Sequence, residues 1–259
     1  MKLALFSDIH GNLPALEAVL ADIEAHHPDD IYCLGDLVNF APWTNEVINV
    51  LRERNIPVIM GNHDEGIGHN KTSFAFSFRS EEERQAGLQA IAVTNKQISA
   101  ENREYLRTLP RNMRLETGDS IPYIRMLMTH ASPESINQYI QEDFNEPELL
   151  AMMDSYNADI MLMGHTHRPY HRLLFTEQNN EKIYKHAINA GSVGKPKDGD
   201  MRAAWCLLEI TENSSLYDAD SIQAHIHRVN YDWYRTIQAI IESEIPDLYA
   251  ELLIGSSAI

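Results

Sequence analysis

Short apolar runs and longer amphipathic ones alternate from the start of this chain. "KLALFS" is strand-like, and "LPALEAVLADIEAHH" sets Leu13, Leu16, Ala18, Val19, Leu20 and Ile23 at helical spacing behind the capping residue Asn12. "DIYCLG" is a second strand, "NEVINVLRERN" a second helix and "IPVIMG" a third strand. A βαβαβ order restricts the chain to parallel strands joined by right-handed crossovers, which places it in the α/β class.

The polar residues then fall at one end of that sheet. "KLALFS" runs into Asp8-Ile9-His10, "DIYCLG" into Asp36, and "IPVIMG" into Asn62-His63-Asp64. Later, "YIRMLMTH" ends in His130 and "ADIMLMGHTH" in His165 and His167. Ligands of open α/β sheets bind beyond the carboxyl ends of the strands. If the extended path of the first strand continues, Asp8 and His10 share a face. Gly35, Gly61 and Gly164 each precede the first polar residue, where the chain leaves the sheet or passes close to another backbone.

Asp8, His10, Asp36, Asn62, His130, His165 and His167 exceed the four ligands of a closed zinc site and suit two cations, with a carboxylate such as Asp36 able to bridge them. Oxygen ligands mixed with imidazoles select divalent transition ions, Mn first, with Fe, Zn, Ni and Co as alternatives. Two such ions clamp a phosphoryl group and offer a hydroxide nucleophile. His63 is left to stabilise or protonate the leaving oxygen, and Asp64 is expected to hold its tautomer. The expected chemistry is phosphoester hydrolysis.

Composition narrows the substrate. With 21 Lys and Arg against 38 Asp and Glu, the chain carries a formal charge of −17 and no basic tract, which counts against long nucleic acids. No apolar run spans a membrane, and a cytoplasmic protein with two unpaired, buried cysteines (Cys33 and Cys206) is expected. The partner is a small phosphorylated molecule, a nucleotide being one such class. The 66–82 segment, with Phe74, Phe76 and Phe78, breaks the pattern and is read as a lid or substrate loop. Together with Phe40 and Trp43 it offers rings for base stacking. Asn12 and the "GSVGKPKDG" turn, with Ser192, Lys195 and Lys197, are candidate phosphate contacts. His225 and His227 read as a solvated pair, and so do His26 and His27.

Taken in order, "DIHGN", "GDLV", "GNHDE", "TH" and "GHTH" resemble the calcineurin-like metallophosphoesterases, and "NAGSVGKPKDGD" and the tail resemble their small bacterial and archaeal phosphodiesterase branch. The likeness runs along essentially the whole chain. It implies a four-layer α/β/β/α sandwich of one domain, residues 1–259, with a helical extension over 231–255. Asp8, His10 and His167 would hold one metal, Asn62, His130 and His165 the other, Asp36 would bridge them, and His63 would be the catalytic histidine. Ala190 and the Asn39-Phe40-Ala41 stretch depart from the branch and would reshape the substrate pocket. Two rivals follow from the same family: a non-catalytic metal-binding scaffold, as in the retromer subunit, and a nuclease. Oligomeric state is not legible, although Leu248, Leu252 and Ile254 offer a face for a second subunit.

Overall fold

The computed structural model describes residues 1–118 and 122–255. β1 (Lys2–Phe6), α1 (Leu13–His26) and β2 (Asp30–Cys33) form the opening unit, with β1 and β2 parallel. Four helices follow: α2 (Thr44–Glu53), α3 (Asn62–Gly68), α4 (Glu81–Gln97) and α5 (Ala100–Thr108). Next come β3 (Asn112–Glu116), β4 (Arg125–Thr129), α6 (Glu146–Ser155) and β5 (Ile160–Met163). The hairpin of β6 (Tyr170–Gln178) and β7 (Glu181–Asn189) leads to β8 (Ala203–Glu209) and β9 (Gln223–Val229), and α7 (Trp233–Ile241) and α8 (Leu248–Gly255) close the described chain.

The strands make two sheets, ordered β2-β1-β8-β9 and β3-β4-β5-β7-β6. Alternation along each strand decides what lies between them. Leu3 and Leu5 of β1 and Cys206 and Leu208 of β8 turn inward onto Met126, Met128, Ile160, Leu162 and Ile188 of the other sheet. Ala4, Phe6, Trp205 and Leu207 face outward onto the helical layer that contains α1 and α2. Leu127, Met161 and Met163 cover α6 on the far side, through Leu149, Met152 and Met153. The result is the four-layer α/β/β/α sandwich that the sequence predicts. Cys33 and Cys206 are buried and unpaired. No described helix is long and apolar enough to cross a membrane.

Three sequence expectations change. The "IPVIMG" run is not a strand: it touches β2 through one isolated bridge, Cys33 to Val58. Pro57 has no N–H to give a ladder, and its carbonyl accepts from Cys33 N instead. The helix that the Met152-Met153 pair suggests gains bounds the sequence left open, as α6, with Asn145 capping it and Pro147 in its first turn. The third change concerns the C-terminal pair. Ile237, Ile240, Tyr249 and Leu253 pack on Ala86, Ala90 and Val93 of α4 within the same chain, and Leu248 and Leu252 pack against that cluster. Two of the residues offered for a second subunit therefore have an intramolecular use.

Candidate metal centre

The strand ends do not deliver their ligands by extended alternation. Asp8 (φ 56°) and His10 (φ 50°) lie in the left-handed region, as do Asp36 (φ 56°), His165 (φ 66°) and His167 (φ 58°). The chain therefore coils as it leaves each strand, and convergence comes from these turns rather than from a shared strand face. The turns also touch one another. A Cβ on Gly61 would lie 2.1 Å from Asp36 Oδ1, and one on Gly164 would lie 2.0 Å from Ser7 Oγ and 2.6 Å from Asp8 Oδ2. Both glycines are required by close approach.

All seven expected ligands are buried and brought together. Asp8, His10 and His167 form one cluster and Asp36, His130 and His165 another. Asp36 Oδ2 lies 3.8 Å from His10 Nε2 and 3.3 Å from His130 Nε2, so it stands between them. Asn62 Oδ1 is 3.2 Å from His130 Nε2.

The outward atoms of these groups are already committed. His10 Nδ1 donates to Val38 O at 3.2 Å and His130 Nδ1 to Leu34 O at 2.8 Å, and His167 Nδ1 donates to Lys195 O. His63 N donates to Asp36 Oδ1 and His165 N to Asp8 Oδ2, both at 2.8 Å, while Asn62 Nδ2 donates to Ala75 O. What remains inside is a set of acceptors. The Nε2 atoms of His10 and His167 face each other at 3.2 Å, and both carry lone pairs once Nδ1 holds the proton. Asp8 Oδ1 and His165 Nε2 are buried without a hydrogen-bond partner among the described residues. Acceptors facing acceptors in a buried space are costly unless a cation lies between them. The donor set fits a divalent metal site, with outer hydrogen bonds of the kind that orient metal-bound histidines.

Electrostatics point the same way. Burial would raise Asp8 and Asp36, but the imidazoles beside them, His167 for Asp8 and His130 for Asp36, hold both carboxyls well below the usual range. Burial lowers His10 and His167, and brings His165 to about 3, so these rings stay neutral. Burial also pulls on His130, yet the Asp36 carboxylate lifts it to about 10: without an ion, a proton is the cation that this pair attracts.

His63 lines the same recess. Asp64 does not hold its ring. Instead the Asp64 carboxylate accepts from Asp36 N (2.7 Å), Leu37 N (2.9 Å) and Gly61 N (3.0 Å), which locks the turns at Asp36 and Gly61 together. Burial and the Asp36 charge push it up to about 7, against the pull of those N–H groups. The partner of His63 Nδ1 is Asn39 Nδ2 at 3.0 Å, and Thr94 Oγ1 donates to Asn39 Oδ1 at 3.1 Å. Asn39 was noted in the sequence only as a departure from the branch, and its positive φ (80°), shared with Phe40 (73°), is seen only in the structure.

The candidate phosphate contacts divide. Asn12 caps α1 through Ala15 N and ties Gly194 O to Thr236, so it braces the scaffold instead of facing substrate. Ser192 is likewise buried, donating to Asp8 O and accepting from Lys195 N, each at 2.8 Å. Lys195 does reach the recess, and so do Lys197 and Tyr139, whose ring stacks on His165 at 4.1 Å. Over the 66–82 segment, residues 66–68 end α3, and the stretch that follows crosses the site with Phe74 and Phe76 wedged against Gly66 and Gly87. Of the proposed stacking rings Phe78 is open, at 48% exposed. Phe40 packs on Tyr249 and Trp43 lies under Arg235. His227 is not merely solvated: it stacks on Trp205 at 4.3 Å and meets His26 at 4.4 Å.

The profile of the family described as calcineurin-like phosphoesterase matches residues 1–169. An uncharacterized protein of Methanocaldococcus jannaschii is 31% identical over 264 residues, covering 97% of this chain and 96% of its own. A metallophosphoesterase from Sphaerobacter thermophilus superposes with a TM-score of 0.71 at 28% identity over 99% of both chains. A hypothetical protein from Pyrococcus horikoshii OT3 superposes at 0.77 with 21% identity over 97% of both, a likeness of fold. A profile match across more than half of the sequence, and a relative alike from end to end, lead to one conclusion: the chain belongs to the calcineurin-like phosphoesterases.

Proposed function

We propose that this phosphoesterase works with two divalent transition ions, Mn foremost, bridged by Asp36, and that it cleaves a small phosphorylated substrate, a phosphodiester first of all. The observation that carries the reading is the ring of inward acceptors, with Asp36 Oδ2 between the imidazoles of both clusters. Asp8, His10 and His167 would hold one ion and Asn62, His130 and His165 the other. Bound there, the ions supply positive charge to the phosphoryl oxygens and acidify an attacking water. The chain itself positions the other reactant. Thr94 fixes the Asn39 amide, the amide fixes His63 Nδ1 as an acceptor, and the proton of the neutral ring is thereby kept at Nε2, ready for the leaving oxygen. Burial, opposed by Asp36, keeps His63 down at about 4, so the ring is neutral near pH 7. Phe74 and Phe76 cover His63 edge-on and at a tilt, which limits water around it.

The test is reconstitution with Mn²⁺, elemental analysis, and a panel of phosphodiesters and monoesters. Two ions per chain and diester turnover that His63→Ala depresses support the reading. Stoichiometric metal with no hydrolysis of any ester would favour the scaffold. Cleavage of single-stranded DNA that falls steeply with salt would favour a nuclease.

A further inference from the structure

The recess does not end at the candidate metal ligands. It opens past Ser77, Tyr139, Lys195 and Lys197, which line both spaces, into a chamber of about 630 Å³. Such a volume suits a nucleotide-sized ligand. The chamber wall adds Arg79 and Arg168 to the two neck lysines, and Glu83 is its one acid among the described residues. That carboxylate is shared: Oε2 accepts from Arg79 N at 2.8 Å, and Oε1 lies 4.0 Å from Lys195 Nζ. Asp198 and Asp200 on the adjoining turn are paired away with Arg228 and Arg202. Two arginines and two lysines thus face one acid in a chain whose formal charge is −17, with Arg79 Nε 3.5 Å from Glu83 Oε2 and burial lowering both lysines, Lys195 to about 7. A local reversal of sign of this kind focuses an anionic ligand.

The cations are also held in place. Lys197 Nζ donates to Ser77 Oγ at 3.0 Å, and Arg168 Nε donates to Lys197 O at 3.1 Å. Lys195 Nζ sits 4.0 Å over the Phe40 ring, a favourable perch for a cation. A substrate with one phosphate, seated in the recess, would meet the two neck lysines and leave Arg79 and Arg168 without a phosphate. We propose that the chamber receives a second phosphate of the substrate, so that the preferred substrates are small organic bisphosphates or polyphosphates. This rests on the reading above in that the first phosphate sits at the metal centre. The exposed Phe78 ring on the chamber wall gives the organic part of such a molecule an apolar face.

Titration calorimetry of the Mn²⁺-loaded protein with thymidine bisphosphate and thymidine monophosphate tests this. Charge-assisted hydrogen bonds to a second phosphate should give the bisphosphate an advantage of about tenfold or more. Arg79 and Arg168 are exposed, so an Arg79→Ala/Arg168→Ala double variant should fold, and it should bring the ratio of the two dissociation constants close to one. Arg79→Lys/Arg168→Lys should restore most of the ratio. A wild-type ratio near one, or a ratio that the alanine variant leaves intact, overturns the proposal. Hydrolysis is read separately with a generic aryl phosphodiester. A protein that keeps the bisphosphate preference but cleaves no ester refutes the catalytic reading and leaves the chamber as an anion site. One that cleaves the diester and shows no preference refutes only the chamber.

Discussion

Asn39→Ala isolates the part played by the His63 ring. Asn39 Nδ2 is 3.0 Å from His63 Nδ1, and Thr94 Oγ1 is 3.1 Å from Asn39 Oδ1, all three residues being buried. Removing the amide strands two buried polar groups, at about 1–3 kcal/mol each. An alanine at φ 80° adds about 1 kcal/mol of backbone strain. Together these amount to about 3–7 kcal/mol, a fall in Tm of roughly 6–28 °C for a chain of this size. The catalytic effect depends on the leaving group. A positioned proton donor contributes about 10²–10⁴-fold where the departing oxygen is basic, and less where an acidic nitrophenol departs unaided. Asn39→Ala should therefore lower kcat by roughly a hundredfold on an alkyl phosphodiester and roughly tenfold on a nitrophenyl one. Because Asn39 acts through His63, adding Asn39→Ala to His63→Ala should change kcat no further. The assay is steady-state kinetics on both esters with metal content measured in each variant. Equal losses on the two leaving groups, or a full additional loss in the double variant, would refute the proton-donor role.

Asp36→Asn should reduce metal content from two equivalents to one or none, read by elemental analysis, and should abolish most of the Tm increase that Mn²⁺ gives the wild type. That increase reflects about 4 kcal/mol at a thousandfold excess over Kd. Gly164→Ala would place a methyl 2.6 Å from Asp8 Oδ2; it should cost about 1–3 kcal/mol and one ion, whereas Gly118→Ala, with nothing within 4 Å among the described residues, should be neutral in both assays. His186, fully buried on β7 and facing His171 at 2.8 Å, is lowered by burial from 6.5 to about 4. The unfolded chain takes up the proton first as pH falls. Up to about 3 kcal/mol is therefore present above pH 6.5 and lost on descending towards 4. Urea unfolding at several pH values should show a shallower acid-side slope for His186→Gln, and an unchanged slope would dismiss the assignment.

Apart from Asn62, the candidate ligands were legible because each is written just after a strand, and chain connectivity carries it to the sheet edge. Asp8, Asp36, His130 and His165 needed no knowledge of distant contacts. Asn39 and Asp64 were illegible for the opposite reason. What they do is fixed by contacts with other turns: Asn39 with His63 and Thr94, Asp64 with the N–H groups of Asp36 and Leu37. Sequence adjacency suggested Asp64 as the partner of His63, and the helical turn at α3 points it away. Phe74 and Phe76 looked like substrate rings for want of the glycine notches at Gly66 and Gly87 that receive them. The "IPVIMG" run had a strand's composition, but Pro57 and the Gly35–Gly61 approach leave it a single bridge.

The left-handed backbone at Asp8, His10, Asp36, His165 and His167 decides what a substitution there takes away. Each such residue costs about 1–2 kcal/mol relative to an ordinary conformation, a cost that glycine escapes. A valine at any of the five would remove the side chain and resist the turn as well, whereas a glycine would remove the side chain alone. Glycine scanning is therefore the cleaner way to ask what each of these groups does, because the path of the loop survives it.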